Sequence, residues 1–164
     1  MTDKKITDLD ALTTADIAAD YMVVVDSTDT TTKKMLLQYL GLPTFLTTPL
    51  TSTAWDGDAY STTAKTKIDL SSVFSAPAGI KAVLVAGTIA DSGSATADCS
   101  FRLSPNDTAN QASVTLKIKG VENNYSMPYN GVVPCDSNGD IYYQIVASDT
   151  STMHIILQIW GYWA

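Results

Sequence analysis

The segment Met153-His-Ile-Ile-Leu-Gln-Ile-Trp-Gly-Tyr-Trp163 constrains the fold more than any other stretch of the chain. Read as a strand, it sends successive side chains to opposite faces. Met153, Ile155, Leu157, Ile159 and Trp163 fall on one face; His154, Ile156, Gln158, Trp160 and Tyr162 fall on the other. Both faces are largely apolar. Such a strand needs a second sheet over one face and a further cover over the other. The expectation is an end built into a core or into a subunit interface, with His154, Ile156, Trp160, Tyr162 and Trp163 as the interface residues.

The rest of the chain points the same way. Of its 164 residues 45% are hydrophobic, enough for a packed core, but only 16% are charged. Thr, Ser, Asn and Asp must therefore supply the polar surface. Glu122 is the lone glutamate. Asp favours turns and caps where Glu favours helix interiors, so the choice of acid predicts a β-rich, loop-rich fold. The net charge of -7 argues against nucleic acid and against an anionic membrane surface, both of which select clustered Lys and Arg. No apolar run reaches transmembrane length, and Thr-Asp-Lys-Lys after Met1 does not resemble a signal peptide. Synthesis in a cytoplasm is expected. Cys99 and Cys135 are then better read as buried thiols than as a disulfide.

Near the start, Thr13 and Asp16 resemble a capping box and predict a helical turn over 14–19. A strand follows over 21–26, turn chemistry over 27–30, a returning strand over 31–35 and a helical turn over 36–40. The run Lys5-Ile-Thr-Asp-Leu, then Thr13-Thr-Ala-Asp, an apolar strand ending in Asp26, and Thr32-Lys-Lys before a Leu-rich turn resembles the N-terminal segment of many bacteriophage fibre proteins. That resemblance covers residues 4–40. It implies a virion-attachment module, a homotrimer, and capsid or tail proteins as partners. Ile6, Leu9, Leu12, Val23, Val25, Leu36 and Leu40 are the residues expected to make the attachment. Long fibres of this group carry repeats or a collagen-like stalk; this chain has neither, which favours a short fibre or a capsid decoration knob.

Residues 41–66 mix Gly, Pro, Thr and Ser with Phe45, Trp55 and Tyr60. They read as an extended arm, its aromatics pegged to a neighbouring surface or folded back on their own domain. From residue 67 to 164 the pattern is strand, turn, strand. Thr66, Ile68 and Leu70 alternate inward, Ile80 to Ala90 reads as a central strand, and Cys99, Phe101 and Leu103 face in. So do Val114, Leu116 and Ile118. Asn130-Gly131 and Asn138-Gly139 each carry a tight-hairpin dipeptide, and Pro134 marks an edge strand. Short strands at this spacing, with no helix among them, predict an antiparallel β-sandwich of the jelly-roll type. The whole chain is then mostly β, with a small mixed attachment segment at 1–40.

Chemistry is sparse. His154, the single histidine, sits on an apolar strand with no nucleophile motif, so a packed or interface role is preferred. If three copies met at a symmetry axis, their charging would lower stability in acid. Asp136-Ser-Asn-Gly-Asp140 spaces oxygens like a Ca²⁺ loop but lacks its later ligands, and reads as an Asx-stabilised turn. Asp56 and Asp58 sit in the arm with nothing to fix their separation. Two loops suit a sugar, Asn106 with Asn110 and Asn123-Asn124-Tyr125, because amides beside an aromatic face match hydroxyl-rich ligands. No metal or cofactor is expected. The reading is a non-enzymatic virion protein, with recognition of a host surface glycan by the knob loops as the alternative.

Overall fold

The structure is a computed structural model and describes residues 21–25, 32–36, 41–55, 57, 61–93, 98–118 and 125–164. The chain divides into two compact units, Met1–Leu42 and Pro43–Ala164. In the first, β1 (Tyr21–Val25) and β2 (Thr32–Leu36) pair antiparallel, with Tyr21 opposite Leu36 and Val25 opposite Thr32. The strand and its return expected from the sequence are both present. Leu36, expected to open a helical turn, instead ends β2. The helical turn at 14–19, the turn at 27–30, and Ile6, Leu9, Leu12 and Leu40 lie outside the described residues.

The second unit is an antiparallel β-sandwich. Its elements are β3 (Pro43–Leu50), β4 (Thr63–Ile68), α1 (Leu70–Phe74), β5 (Ala82–Asp91), β6 (Cys99–Ser104), β7 (Val114–Ile118), β8 (Met127–Pro134), β9 (Ile141–Val146) and β10 (Met153–Trp163). Sheet one has the order β3-β10-β5-β8 and sheet two the order β4-β9-β6-β7. Four antiparallel ladders nest inside one another: β6 with β7, β5 with β8, β4 with β9, and β3 with β10. The unit is thus one long ribbon folded at the β6–β7 loop. Winding the ribbon over places alternate ladders in alternate sheets, which the β5–β10 and β6–β9 ladders then seal. That is the strand order of a jelly roll.

The inner faces alternate as the sequence suggested. Val83, Val85 and Ile89 of β5 meet Phe101 and Leu103 of β6, Ile141 and Ile145 of β9, and Ile155 and Ile159 of β10, all buried. Trp55, from the β3–β4 connection, stands edge-on to Tyr143 at 5.4 Å and lies 6.1 Å from Phe101. Of the two roles open to the arm aromatics, Trp55 takes the inward one. The arm itself is not a free linker: β3 is an edge strand of sheet one and β4 an edge strand of sheet two.

Other expectations change for identifiable reasons. The strand predicted to run through Leu70 stops at Ile68, because Asp69 accepts a hydrogen bond from the Ser72 N–H at 3.0 Å and caps a short helix. Leu70 and Phe74 of that helix plug one end of the core. Asn130-Gly131 is no hairpin, since both residues lie within β8 opposite Ala86 and Val85. Gly131 serves close packing there; a Cβ on it would stand 2.6 Å from a Val114 methyl of the facing sheet. Asn138-Gly139 does turn the chain, with φ +91° at Gly139, but it carries β8 of one sheet into β9 of the other.

The closing strand holds the largest surprise. Its odd residues from Met153 to Ile159 face the core, as alternation requires. At Trp160 the ladder slips: Ile159 pairs with Val85 and Gly161 with Leu84, so Trp160 is an extra residue. Beyond this bulge parity inverts. Tyr162, opposite Val83, packs on the core, and Trp163 pairs with Ala82 on the outward side. The sequence reading had these two residues on the reverse faces.

Candidate functional site

The two sheets present outer faces of opposite character. The strands of sheet one contain no Lys, Arg or Glu, and their single acid, Asp91, is turned into a buried network. What remains outside mixes polar side chains such as Asn130, His154 and Gln158 with an apolar patch. Phe45 of β3 is 68% exposed, Val132 of β8 47% and Ile156 of β10 42%, with half-buried Leu84, Trp160 and Trp163 between them. Register gathers them: Gly161 lies opposite Phe45 on one side and Leu84 on the other, and Leu84 lies opposite Val132. Gly161 keeps this patch flat, since a Cβ there would be 2.9 Å from the Thr44 carbonyl oxygen. The Trp160 Nε1 donates to Gln158 Oε1 at 3.2 Å, which lays the indole along the strand.

Of the residues assigned to an interface from sequence, His154, Ile156, Trp160 and Trp163 share this outer side. Tyr162 does not; the bulge turns it inward. Leu84 and Val132 were missed, although the two-sided apolar run over Ile80–Ala90 already signalled an outward partner for Leu84. Along the upper half of β10, a cleft of about 370 Å³ is walled by Thr51, Ser52 and Trp55 against His154–Gln158. Among the described residues, His154 is its one lining side chain of the acid–base type.

The outer face of sheet two is polar and basic. β4, β6, β7 and β9 carry Lys65, Lys67, Arg102 and Lys117 and no Asp or Glu. Lys67 Nζ bonds Asp140 Oδ2 at 2.9 Å, and that hydrogen bond raises the Lys67 pKa. Asp140 Oδ1 accepts from the Leu70 N–H at 3.2 Å, fastening the start of α1. Lys65 Nζ donates to Ser104 Oγ at 2.8 Å, to the Asn106 carbonyl at 3.1 Å and to the Gln111 carbonyl. Burial pulls the Lys65 pKa down, against the pull of Asp107.

Of the loop residues read as sugar ligands, the described ones fall at opposite ends of β7. Asn106 Nδ2 donates to Gln111 Oε1 at 3.0 Å and its Oδ1 accepts from the Thr108 N–H at 3.1 Å, so its amide braces its own loop. Asn110 is exposed at the β6–β7 tip with φ +63°. Tyr125, 56% exposed, comes after the other end of β7. Asn123, Asn124, Asp56, Asp58 and Tyr60 lie outside the described residues.

The Asp136–Asp140 stretch is a turn as expected: Asp136 Oδ1 accepts the Asn138 and Asp140 N–H groups at 2.8 and 2.9 Å. Cys99 and Cys135 form no disulfide. Burial, with Asp91 beside it, pushes Cys99 up to about 11, and burial with Asp136 and Asp140 pushes Cys135 up to about 12. Neither is a poised nucleophile. Among the described residues no cluster of three or more His, Cys, Asp or Glu could hold a metal, and no helix is long and apolar enough to cross a membrane. No protein-family profile matches this chain, and no curated protein matches it.

Proposed function

We propose that this chain is a non-enzymatic structural protein of a tailed-phage virion, a short trimeric fibre or capsid decoration protein. Residues 1–40 anchor it to capsid or tail proteins, and the sandwich forms the outward knob. The observation that supports the reading is the apolar patch of Phe45, Leu84, Val132, Ile156, Trp160 and Trp163 on a face of sheet one whose strands expose no Lys, Arg, Asp or Glu. Copies that each bear a charge of -7 repel, so a contact zone free of charge suits self-association. Phe45, Trp160 and Trp163 would fill the contact, each contributing on the order of 2–3 kcal/mol if fully buried. The anchoring role rests on the resemblance of residues 4–40 to phage fibre segments. Trimerisation would multiply weak attachment contacts through avidity.

Light scattering of the purified chain tests the assembly. A mass near three times 17.5 kDa is expected, and Phe45→Ser with Trp160→Ser should reduce it to one copy without loss of the β-type circular dichroism. A wild-type monomer at working concentrations would remove the physical basis of the proposal.

A further inference from the structure

We propose that the outer face of sheet two binds an acidic sugar in the hollow between Arg102 and Lys117. The cations of this face divide into two kinds. Lys65 and Lys67 are tied down, one to the β6–β7 loop and the other to Asp140. Among the described residues, Arg102 and Lys117 hold nothing together comparably: Arg102 Nη1 makes one long contact of 3.4 Å to Gln144 Oε1, and a guanidinium has five donors. Register sets the pair side by side. Arg102 lies opposite Thr115 and Ser100 opposite Lys117, so the two cations are diagonal neighbours on one face.

Between them the sheet carries Ser100, a small residue only 5% exposed, which lowers the floor. Among the described residues, a hollow of about 310 Å³ there is lined by Asp98, Cys99, Ser100, Arg102, Lys117, Ile118 and Val146. That volume lies at the lower end of small-ligand sites and suits a monosaccharide unit. The lining selects among anions. A guanidinium beside an ammonium takes a carboxylate, with the bidentate geometry that Arg favours. Val146 offers an apolar contact to the C–H face of a sugar ring. Asp98 at the rim places a negative charge there that disfavours a densely charged sulfate or phosphate polymer. One carboxylate on a hydroxyl-rich ring meets all of these conditions. A nucleic acid would need a continuous cationic track, and the engaged Lys65 and Lys67 interrupt it.

This site is on the sheet opposite the apolar face, so it stands whether or not the chain trimerises. The test is calorimetric titration of the full-length protein with a galacturonate trisaccharide, beside the uncharged galactose trisaccharide and inorganic sulfate. Saturable binding of galacturonate alone is expected, weakening as salt is added. Arg102→Gln and Lys117→Gln should each cost roughly tenfold in affinity, as loss of a charge-assisted hydrogen bond does, with unchanged melting temperature. Absence of galacturonate binding overturns the proposal, as does equal binding of the neutral trisaccharide or of sulfate. Unchanged affinity in both variants would place any binding elsewhere and equally overturn it. Light scattering on the same samples reads the assembly separately.

Discussion

Asp91 shows how much of this fold hangs on single polar atoms. It is 4% exposed, yet it accepts hydrogen bonds from the Ser148 N–H at 2.9 Å, the Gly93 N–H at 2.8 Å, the Thr152 hydroxyl at 3.1 Å and the Cys99 thiol at 3.2 Å. The Ser148 hydroxyl adds another. Burial alone would raise the carboxyl pKa, but the Ser148, Gly93 and Cys99 donors outweigh it and draw it down to about 2. A carboxylate with a depressed folded pKa contributes stability that is present above its unfolded value, near 4, and lost as pH falls through the folded one. Stability measured by urea unfolding should therefore drop between about pH 4 and pH 2 in the wild type. Asp91→Asn should lose about 2 kcal/mol at neutral pH, from hydrogen bonds to a charge, and show a flatter acid limb. From sequence, Asp91 is only the start of a strand-breaking Asp-Ser-Gly-Ser run. Its donors at Ser148 and Thr152 come from a loop more than fifty residues away, and no local pattern announces them.

At the scale of elements, alternation was legible wherever a strand kept its ladder. The inward residues of β6, β7 and β10 up to Ile159 follow directly from the two-residue period. The bulge at Trp160 was not legible, because a slip in pairing depends on the neighbouring strand; counting residues along β10 then assigns Tyr162 and Trp163 to the wrong faces. Asn130-Gly131 misled for a related reason. Its glycine answers a steric demand from the facing sheet, which resembles turn chemistry when read along one chain. Gly87 makes such a demand measurable. Its neighbour Tyr129 reaches across it to donate to the Ile156 carbonyl at 2.9 Å, and a Cβ on Gly87 would stand 1.8 Å from that same oxygen. Gly87→Val should cost more than about 3 kcal/mol or abolish folding, whereas Tyr129→Phe, which removes one hydrogen bond, should cost about 1–2 kcal/mol. Equal losses in chemical denaturation would show that backbone approach is not the constraint at Gly87.

For the whole molecule, the sandwich, the edge strand that Pro134 marks and the central β5 were legible, because amphipathic strands must be covered and short turns limit how. The division of labour in the arm was not. Residues 41–66 have the composition of a linker, yet they supply an edge strand to each sheet, since pairing needs only backbone and one acceptable face. Residues 43–164 accordingly contain every ladder of the sandwich. Deleting residues 1–42 should leave a folded knob with a cooperative melt, and, on the proposed function, one that no longer joins particles. A truncated protein that fails to melt cooperatively would show that the first unit supports the second.

The nested ladders also govern when the knob can come into being. Each ladder of the sandwich joins a strand from the β3–β6 half to one from the β7–β10 half, and none joins two strands of the same half. A nascent chain that has emerged through β6 therefore holds four strands that have no native partner among themselves. Pairing can start only at the β6–β7 turn, the shortest closure, and then zip outward to β3 and β10, whose contacts span the most chain. Until β10 has left the ribosome, β3 and one side of β5 lie open. On the proposed function, assembly through the face that Trp160 and Trp163 help to build would therefore have to wait until β10 has been made, so the order of synthesis would itself keep copies lacking β10 out of the oligomer.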